Sequence, residues 1–442
     1  MSPQNQALRL LSTFIVTLLI LPSLALADTV PTIHSGDTAW MITATAFVLM
    51  MLIPGLALFY GGLVRKENVL AIYAQSFATS CIICVLWVVV GYTLVFSEGN
   101  LFTGGLSNLF LKNVKIDSIN SAAGTIPETV YVMFQMTFAA ITPALMLGSI
   151  ADRIKFSSMI VMVATWSIVV YCPIAHWLWG PNGFLGSVGV FGFGPVLDYA
   201  DGLVVHVSSG LSALVAVIVM GKRKPLGKSD SAPYNLVYSL IGAALLWVGW
   251  TGFNAGSAVS AGNNAGMAML VSYVAATAAL AWMAMEWKSK GKPSIVGIIS
   301  GSVAGLVAIT PASGLVGLQG ALIIGLAVGI VCFIGCTTIK EKFGYDDSLD
   351  AFGVHGIGGA LGSILTGVFV VKDINSTNHI GGLLEGNTKA LYAQLAGTGI
   401  VVVYTFVAAF ILFKIIDKVM GLRVSEEVEL NGLDEHLHGN KV

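Results

Sequence analysis

The sequence predicts an all-α polytopic membrane protein, with eleven transmembrane helices arranged as an inverted 5+5 repeat plus one extra helix. Three observations predict it. Of the 442 residues, 56% are hydrophobic and 10% charged, with mean hydropathy +0.84, which excludes a soluble chain. Apolar stretches able to cross a hydrocarbon core of about 30 Å recur eleven times. The fifth and the tenth each carry a histidine eight residues after an aspartate: Asp198 to His206 in DYADGLVVHVSSG, and Asp347 to His355 in DSLDAFGVHGIGG. The net charge of −1 gives no reason to expect a nucleic-acid partner.

Residues 1–27 read as a cleaved signal peptide: Arg9, an apolar run, then Ala25-Leu26-Ala27 before Asp28. An uncleaved first helix is the alternative. The membrane domain is then 28–417, with spans near 40–63, 69–96, 127–149, 157–179, 200–221, 234–257, 264–287, 294–311, 316–339, 350–371 and 390–416. Alternate loops carry Arg65 and Lys66, Arg153 and Lys155, Lys222 to Lys224 with Lys228, Lys288 to Lys292, and Lys340 with Lys342. The loops between them carry only Lys112, Lys115, Lys372 and Lys389. By the positive-inside rule the mature N-terminus lies outside, and the charged tail 418–442 is cytoplasmic.

The fifth and tenth spans share more than the aspartate spacing, since both continue Val-His-x-x-x-Gly, to Gly210 and Gly359. They run in opposite directions. Five spans repeated upside down place a site near the midplane between halves: repeat 1 about 40–221, repeat 2 about 234–371, and an unpaired helix about 390–416. An eight-residue helical rise of about 12 Å carries both rings towards the middle of the bilayer. Ionisable groups at that depth are costly and mark function. A neutral imidazole offers one donor and one acceptor, so two in contact can relay a proton. The plain alternative is a buried histidine bonded to a backbone carbonyl. Cys81, Cys84, Cys172, Cys332 and Cys336 all fall within spans and read as packing. The 51 glycines let helices approach closely.

Seven segments, in order, resemble the ammonium transporter (Amt) family of the Amt/Mep/Rh superfamily. They are FQMTFAAITPALMLGSIADRIKF, AHWLWG, LDYADGLVVH, GWTGFNAGSA, GKPSIVGIISGSVAGLVAITPA, FGVHGIGGALG and GLRVSEEVELNGLDEHLHG. The resemblance implies a transporter, not an enzyme, without metal or cofactor, that recruits ammonium outside and conducts ammonia while the proton travels separately. It implies that Trp179, Phe134 and Ser257 bind ammonium or its analogue methylammonium. Aromatic faces replace lost water there, at about 0.5–2 kcal/mol per contact; an interfacial belt is the other reading of Trp179. It further implies that Phe138 and Phe253 close the pore and that His206 and His355 line it. Asp198 then gives structural and electrostatic support, while Asp347 and Asp350 read as helix-start anchors. A homotrimer in the bacterial inner membrane, with a PII-type signalling protein on the cytoplasmic face, completes the expectation. A Rhesus-type ammonia or carbon dioxide channel is the nearest rival, opposed by Trp179 and the tail motif. The other is an ammonium sensor, which commonly carries a signalling domain longer than 418–442.

Two departures stand out. Asp201 occupies a position where the family pattern has glycine, and it reads as the cap of the fifth span or as a vestibule acid. Met136 and Pro143 are also unusual in the third span, where Pro143 is expected to kink the helix.

Overall fold

A computed structural model describes residues 32–224, 232–375 and 378–442. The expected signal peptide 1–27 and Lys228 therefore lie outside the described residues. Eleven helices long and apolar enough to span a membrane follow one another: α1 Ser35–Leu63, α2 Lys66–Phe96, α3 Glu128–Ile150, α4 Phe156–Trp179, α5 Gly202–Met220, α6 Leu236–Ala255, α7 Asn263–Lys290, α8 Ile295–Ala312, α9 Leu318–Phe343, α10 Phe352–Phe369 and α11 Thr388–Met420. Each overlaps the stretch expected from hydropathy. Local chemistry sets several starts. The Asn235 side chain caps α6 by accepting Val237 and Tyr238 N–H, and Ser294 caps α8 by accepting Gly297 N–H.

The helices are not equally central. In α3 and α5, 83% of the apolar window is buried within the chain, against 28% in α11, which presents most of its surface outward. Apolar all round and buried all round, α3 and α5 form the wall of the interior. Pro143 does not break α3, which runs continuously from Glu128 to Ile150. The Thr142 hydroxyl bonds Phe138 O at 2.6 Å just before the proline.

Several spans contain π-helical turns: Met51–Leu56 around Pro54, Gly202–Val207, Thr251–Ala255 and Phe352–Gly356 among them. A π turn inserts one residue and re-aims the side chains it carries, and such turns gather at functional sites. His206, Phe253 and His355 each sit in one.

The tail is folded back on the loops. Two short helices, α12 Glu426–Asn431 and α13 Leu433–His438, end the chain. The Asp434 carboxylate accepts Leu70 N–H at 3.1 Å and Ala71 N–H at 2.7 Å at the start of α2, supplying the cap that helix lacks locally. Leu433 N–H donates to Asn68 Oδ1, and Arg65 donates to the carbonyls of Leu430 and Glu429. Arg423 pairs with Glu429 at 2.7 Å.

Candidate pore and its aromatic mouth

The buried aromatic side chains of α3, α4, α5, α6 and α10 converge in a single file. Trp179 at the end of α4 stands 6.4 Å from Phe138, centroid to centroid. Phe138 packs on Phe253 at 4.5 Å, Phe253 on His206 at 6.0 Å, and His206 on His355 at 5.2 Å. Phe134, one turn before Phe138, packs edge-on to it at 4.8 Å. Trp179 is half-buried and every ring below it is buried. Ser257 lies one turn beyond Phe253, with its hydroxyl donating to Phe253 O at 2.8 Å. The adjoining Gly256 lies against the Phe134 ring, which a Cβ there would approach to 2.8 Å. Trp179, Phe138, Phe253, His206 and His355 thus form a continuous chain of ring contacts, with Phe134 packed beside Phe138 and Ser257 one turn beyond Phe253.

The histidine pair ends that chain of rings. His206 Nδ1 and His355 Nδ1 are 3.2 Å apart, with ring planes 20° from parallel. A hydrogen bond between two Nδ1 atoms needs one donor and one acceptor, so at most one of the two rings can carry an extra proton. His206 Nε2 is buried and has no partner among the described residues. An imidazole nitrogen orphaned at the core of a membrane helix bundle is an unfilled hydrogen-bonding position. Two glycine contacts allow the rings to meet. A Cβ on Gly210 would lie 2.1 Å from Gly356 N, and one on Gly359 would lie 2.9 Å from His206 Cβ. Here α5 and α10 touch backbone to backbone.

Each histidine helix is anchored at its start by the aspartate eight residues before the ring. Asp198 accepts the N–H groups of Gly202, Leu203 and Val204 at 2.5, 2.8 and 3.1 Å. Asp347 accepts Ala351 and Phe352 N–H at 3.2 and 2.8 Å, and the Ser149 hydroxyl at 2.5 Å. The Asp-x7-His spacing is therefore a cap followed by a π turn, used twice. Asp198 also ties the cap to the mouth, because Trp179 Nε1 donates to its carbonyl at 2.9 Å. Burial lifts the Asp198 carboxyl to about 6, against the three backbone N–H groups that favour its charged form.

Asp201 requires a correction. It does not cap α5: its side chain makes no cap hydrogen bond, and the donors it was expected to satisfy are held by Asp198. Nor is it an exposed vestibule acid, being 1% exposed. It stands in the left-handed region at φ 97°, which is where glycine is favoured. Burial, and then the negative charge of Asp198, push its carboxyl well above the usual range.

Sequence reasoning missed Trp250. Its ring stacks on His206 at 5.8 Å and packs on Phe253 at 5.7 Å, held by an Nε1 bond to Thr310 Oγ1 at 3.0 Å. The signal was present, since GWTGFNAG places Trp250 one turn before Phe253, but hydropathy alone cannot separate a pore tryptophan from a packing one.

At the tail face a cavity of about 520 Å³ opens between Leu63, Arg65, Asp152, Arg223, Asp346 and Glu429. Arg223 bridges Asp152 at 2.8 Å and holds Asp346 with two guanidinium nitrogens and its own backbone N–H. Lys340 pairs with Asp350 at 2.7 Å. Burial raises the Asp346 carboxyl, but the Arg223 bonds and charge outweigh it and hold the group at about 2.

Residues 39–442 match the model of the Ammonium Transporter Family. The chain is 44% identical over 407 residues to an ammonium transporter of Bacillus subtilis, covering 92% of this chain and 98% of that protein. It is 42% identical to ammonium transporter Amt1 of Archaeoglobus fulgidus, covering 91% and 98% respectively. Among solved structures, Mep2 of Candida albicans superposes with TM-score 0.83 at 34% identity, covering 90% of this chain and 88% of that one. A sensor Amt protein superposes with TM-score 0.80 at 25% identity, covering 91% of this chain and 98% of that one.

Proposed function

The chain belongs to the ammonium transporter family, and we propose that it recruits ammonium at the Trp179 mouth, removes a proton and conducts ammonia past the twin histidines. The proton travels separately. What carries this reading is the continuous file of rings from the half-buried Trp179 through buried Phe138, Phe253 and His206 to His355. A cation entering it exchanges water for aromatic faces at Trp179 and Phe134, worth about 0.5–2 kcal/mol each, and for the Ser257 hydroxyl. Beyond that point Phe138 and Phe253 present rings alone, with no side-chain hydrogen-bond acceptor to replace the water a charge must lose. Moving a small ion into such a medium costs of order 20 kcal/mol in the idealised limit, whereas neutral ammonia pays far less. Potassium has no proton to lose and is rejected by the same physics. Ammonia then meets the free Nε2 of His206, and the Nδ1 pair passes a proton between rings without leaving a bare ion.

The mouth faces outward in this proposal, with 1–27 cleaved as a signal peptide and the tail in the cytoplasm of a bacterial inner membrane. The two repeats, 40–221 and 234–371, supply one histidine each. A homotrimer has one such pore per subunit. The basic loops and the docked tail form the cytoplasmic face that a PII-type protein would meet.

The test is transport in proteoliposomes. His206→Leu with His355→Leu should abolish selective ammonium-driven current while the protein still assembles. Currents of wild-type size, with unchanged selectivity over potassium, would sink the twin-histidine pore.

A further inference from the structure

We propose that Asp201 is a proton-holding site beside the mouth of the pore, whose carboxylate takes the proton that ammonium gives up. The proposal rests on the transport reading above and adds a residue to it. Four observations carry it. The side chain is buried, 1% exposed, and its Oδ2 has no hydrogen-bond partner among the described residues. Its backbone holds a left-handed φ of 97°, a conformation that strains any residue bearing a Cβ. Its carbonyl accepts the N–H of both Val205 and His206 at 3.2 Å, so the strained residue directly carries the turn on which the pore histidine sits. Glycine would make that turn without strain, so the carboxyl has no structural use there.

The surroundings suit a proton and little else. Asp201 lies within electrostatic range of the Tyr131 and Tyr171 phenols, and the Tyr171 hydroxyl is itself buried without a partner. Aromatic rings wall the region: Tyr171 packs on Trp87 at 6.4 Å and Tyr131 on Phe96 at 5.1 Å. Tyr131 lies one helical turn from Phe134 of the mouth, and the charged neighbour Asp198 is tied to Trp179. The titratable groups close enough for their charge to bear on Asp201 are thus Asp198, Tyr131 and Tyr171.

The step balances. One N–H bond of ammonium breaks with its electron pair left on nitrogen as ammonia's lone pair, and one O–H bond forms on Asp201. A cation and an anion become two neutral species, which burial in an apolar region favours. Burial and the Asp198 charge also raise the carboxyl's proton affinity, bringing it closer to that of ammonia, as efficient proton transfer requires. The site resets by releasing the proton to water.

Reconstituted wild type, Asp201→Asn and Asp201→Gly are compared for charge moved per methylammonium taken up. Both variants should lose charge movement at least fivefold, with half-saturation for methylammonium within twofold of wild type. Asp201→Gly, which relieves the strained φ, should melt no lower than wild type, so that loss of function is not loss of fold. Infrared difference spectra of the purified protein, with ammonium minus without, should contain a protonated-carboxyl band that shifts in heavy water and is missing in Asp201→Asn; a merely structural aspartate would not gain a proton when ammonium is added. Wild-type charge per amine in both variants, or an unchanged band in Asp201→Asn, overturns the proposal alone. A wild-type protein that moves no methylammonium overturns it together with the transport reading.

Discussion

Replacing Gly210 with alanine should disable the pore while leaving every aromatic and histidine side chain in place. The new Cβ would lie 2.1 Å from Gly356 N, 2.6 Å from Gly356 Cα and 2.9 Å from His355 C. All three are backbone atoms of α10, which no rotamer change can move. Ordinary contact begins near 3.4 Å, so α5 and α10 must separate by about 1.3 Å, the difference between 3.4 and 2.1. Close-packed interiors pass such a shift on instead of absorbing it. Carried to the rings, it takes the Nδ1 atoms from 3.2 Å to about 4.5 Å, beyond hydrogen-bond reach. Overpacking also destabilises by about 1–3 kcal/mol, so the assay compares protein of equal trimer or monomer content in liposomes. Ammonium-driven current should fall at least tenfold, a barrier increase of about 1.4 kcal/mol. Gly399→Ala is the control, since a Cβ there meets nothing within 4 Å and a helical Gly→Ala change stabilises by about 0.5–1 kcal/mol. Wild-type current in Gly210→Ala, with potassium still excluded, would refute the claim that contact between the two rings is what matters.

Trp179→Leu removes one cation–π face worth about 1 kcal/mol and the bond to Asp198 O; half-saturation for methylammonium should rise about fivefold to tenfold, and an unchanged value would argue against an aromatic cation site. Asp198→Asn keeps at most two of three charge-assisted cap bonds, each worth about 1.5–3 kcal/mol. It should lower the melting temperature and stop transport, whereas a fully active, equally stable variant would show the cap to be dispensable. Arg223→Gln tests the tail-face pairs. Asp346 has a folded value of about 2 against an ordinary 3.8, so its stabilisation is complete above about pH 4 and lost as pH falls through 2. The full shift is worth about 2 kcal/mol, and less after screening at this partly exposed site. The variant should therefore destabilise the detergent-solubilised protein more at pH 7 than at pH 3. Equal loss at both values would remove the ion pairs from the account.

The residues that decide membrane insertion are contiguous, which is why the eleven spans were legible in the sequence. Hydropathy over some twenty neighbours is a local property, and a helix satisfies its own backbone whatever it packs against. The paired Asp-x7-His pattern was legible for the same reason: cap, turn and ring lie on one stretch of chain. What the pattern could not contain was contact. That His206 and His355 meet Nδ1 to Nδ1 depends on Gly210 and Gly356 touching across 146 residues of chain. That Trp250 stacks on His206 depends on α6 lying beside α5. Asp201 shows the limit most clearly. Its identity and its departure from glycine were visible, and helix-start statistics favoured a cap, but Asp198 had already taken the donors. Tertiary packing then buried the second acid with no partner. Local sequence determines which groups a segment offers; only the folded bundle decides which of them are satisfied, and the ones left over are where chemistry remains available.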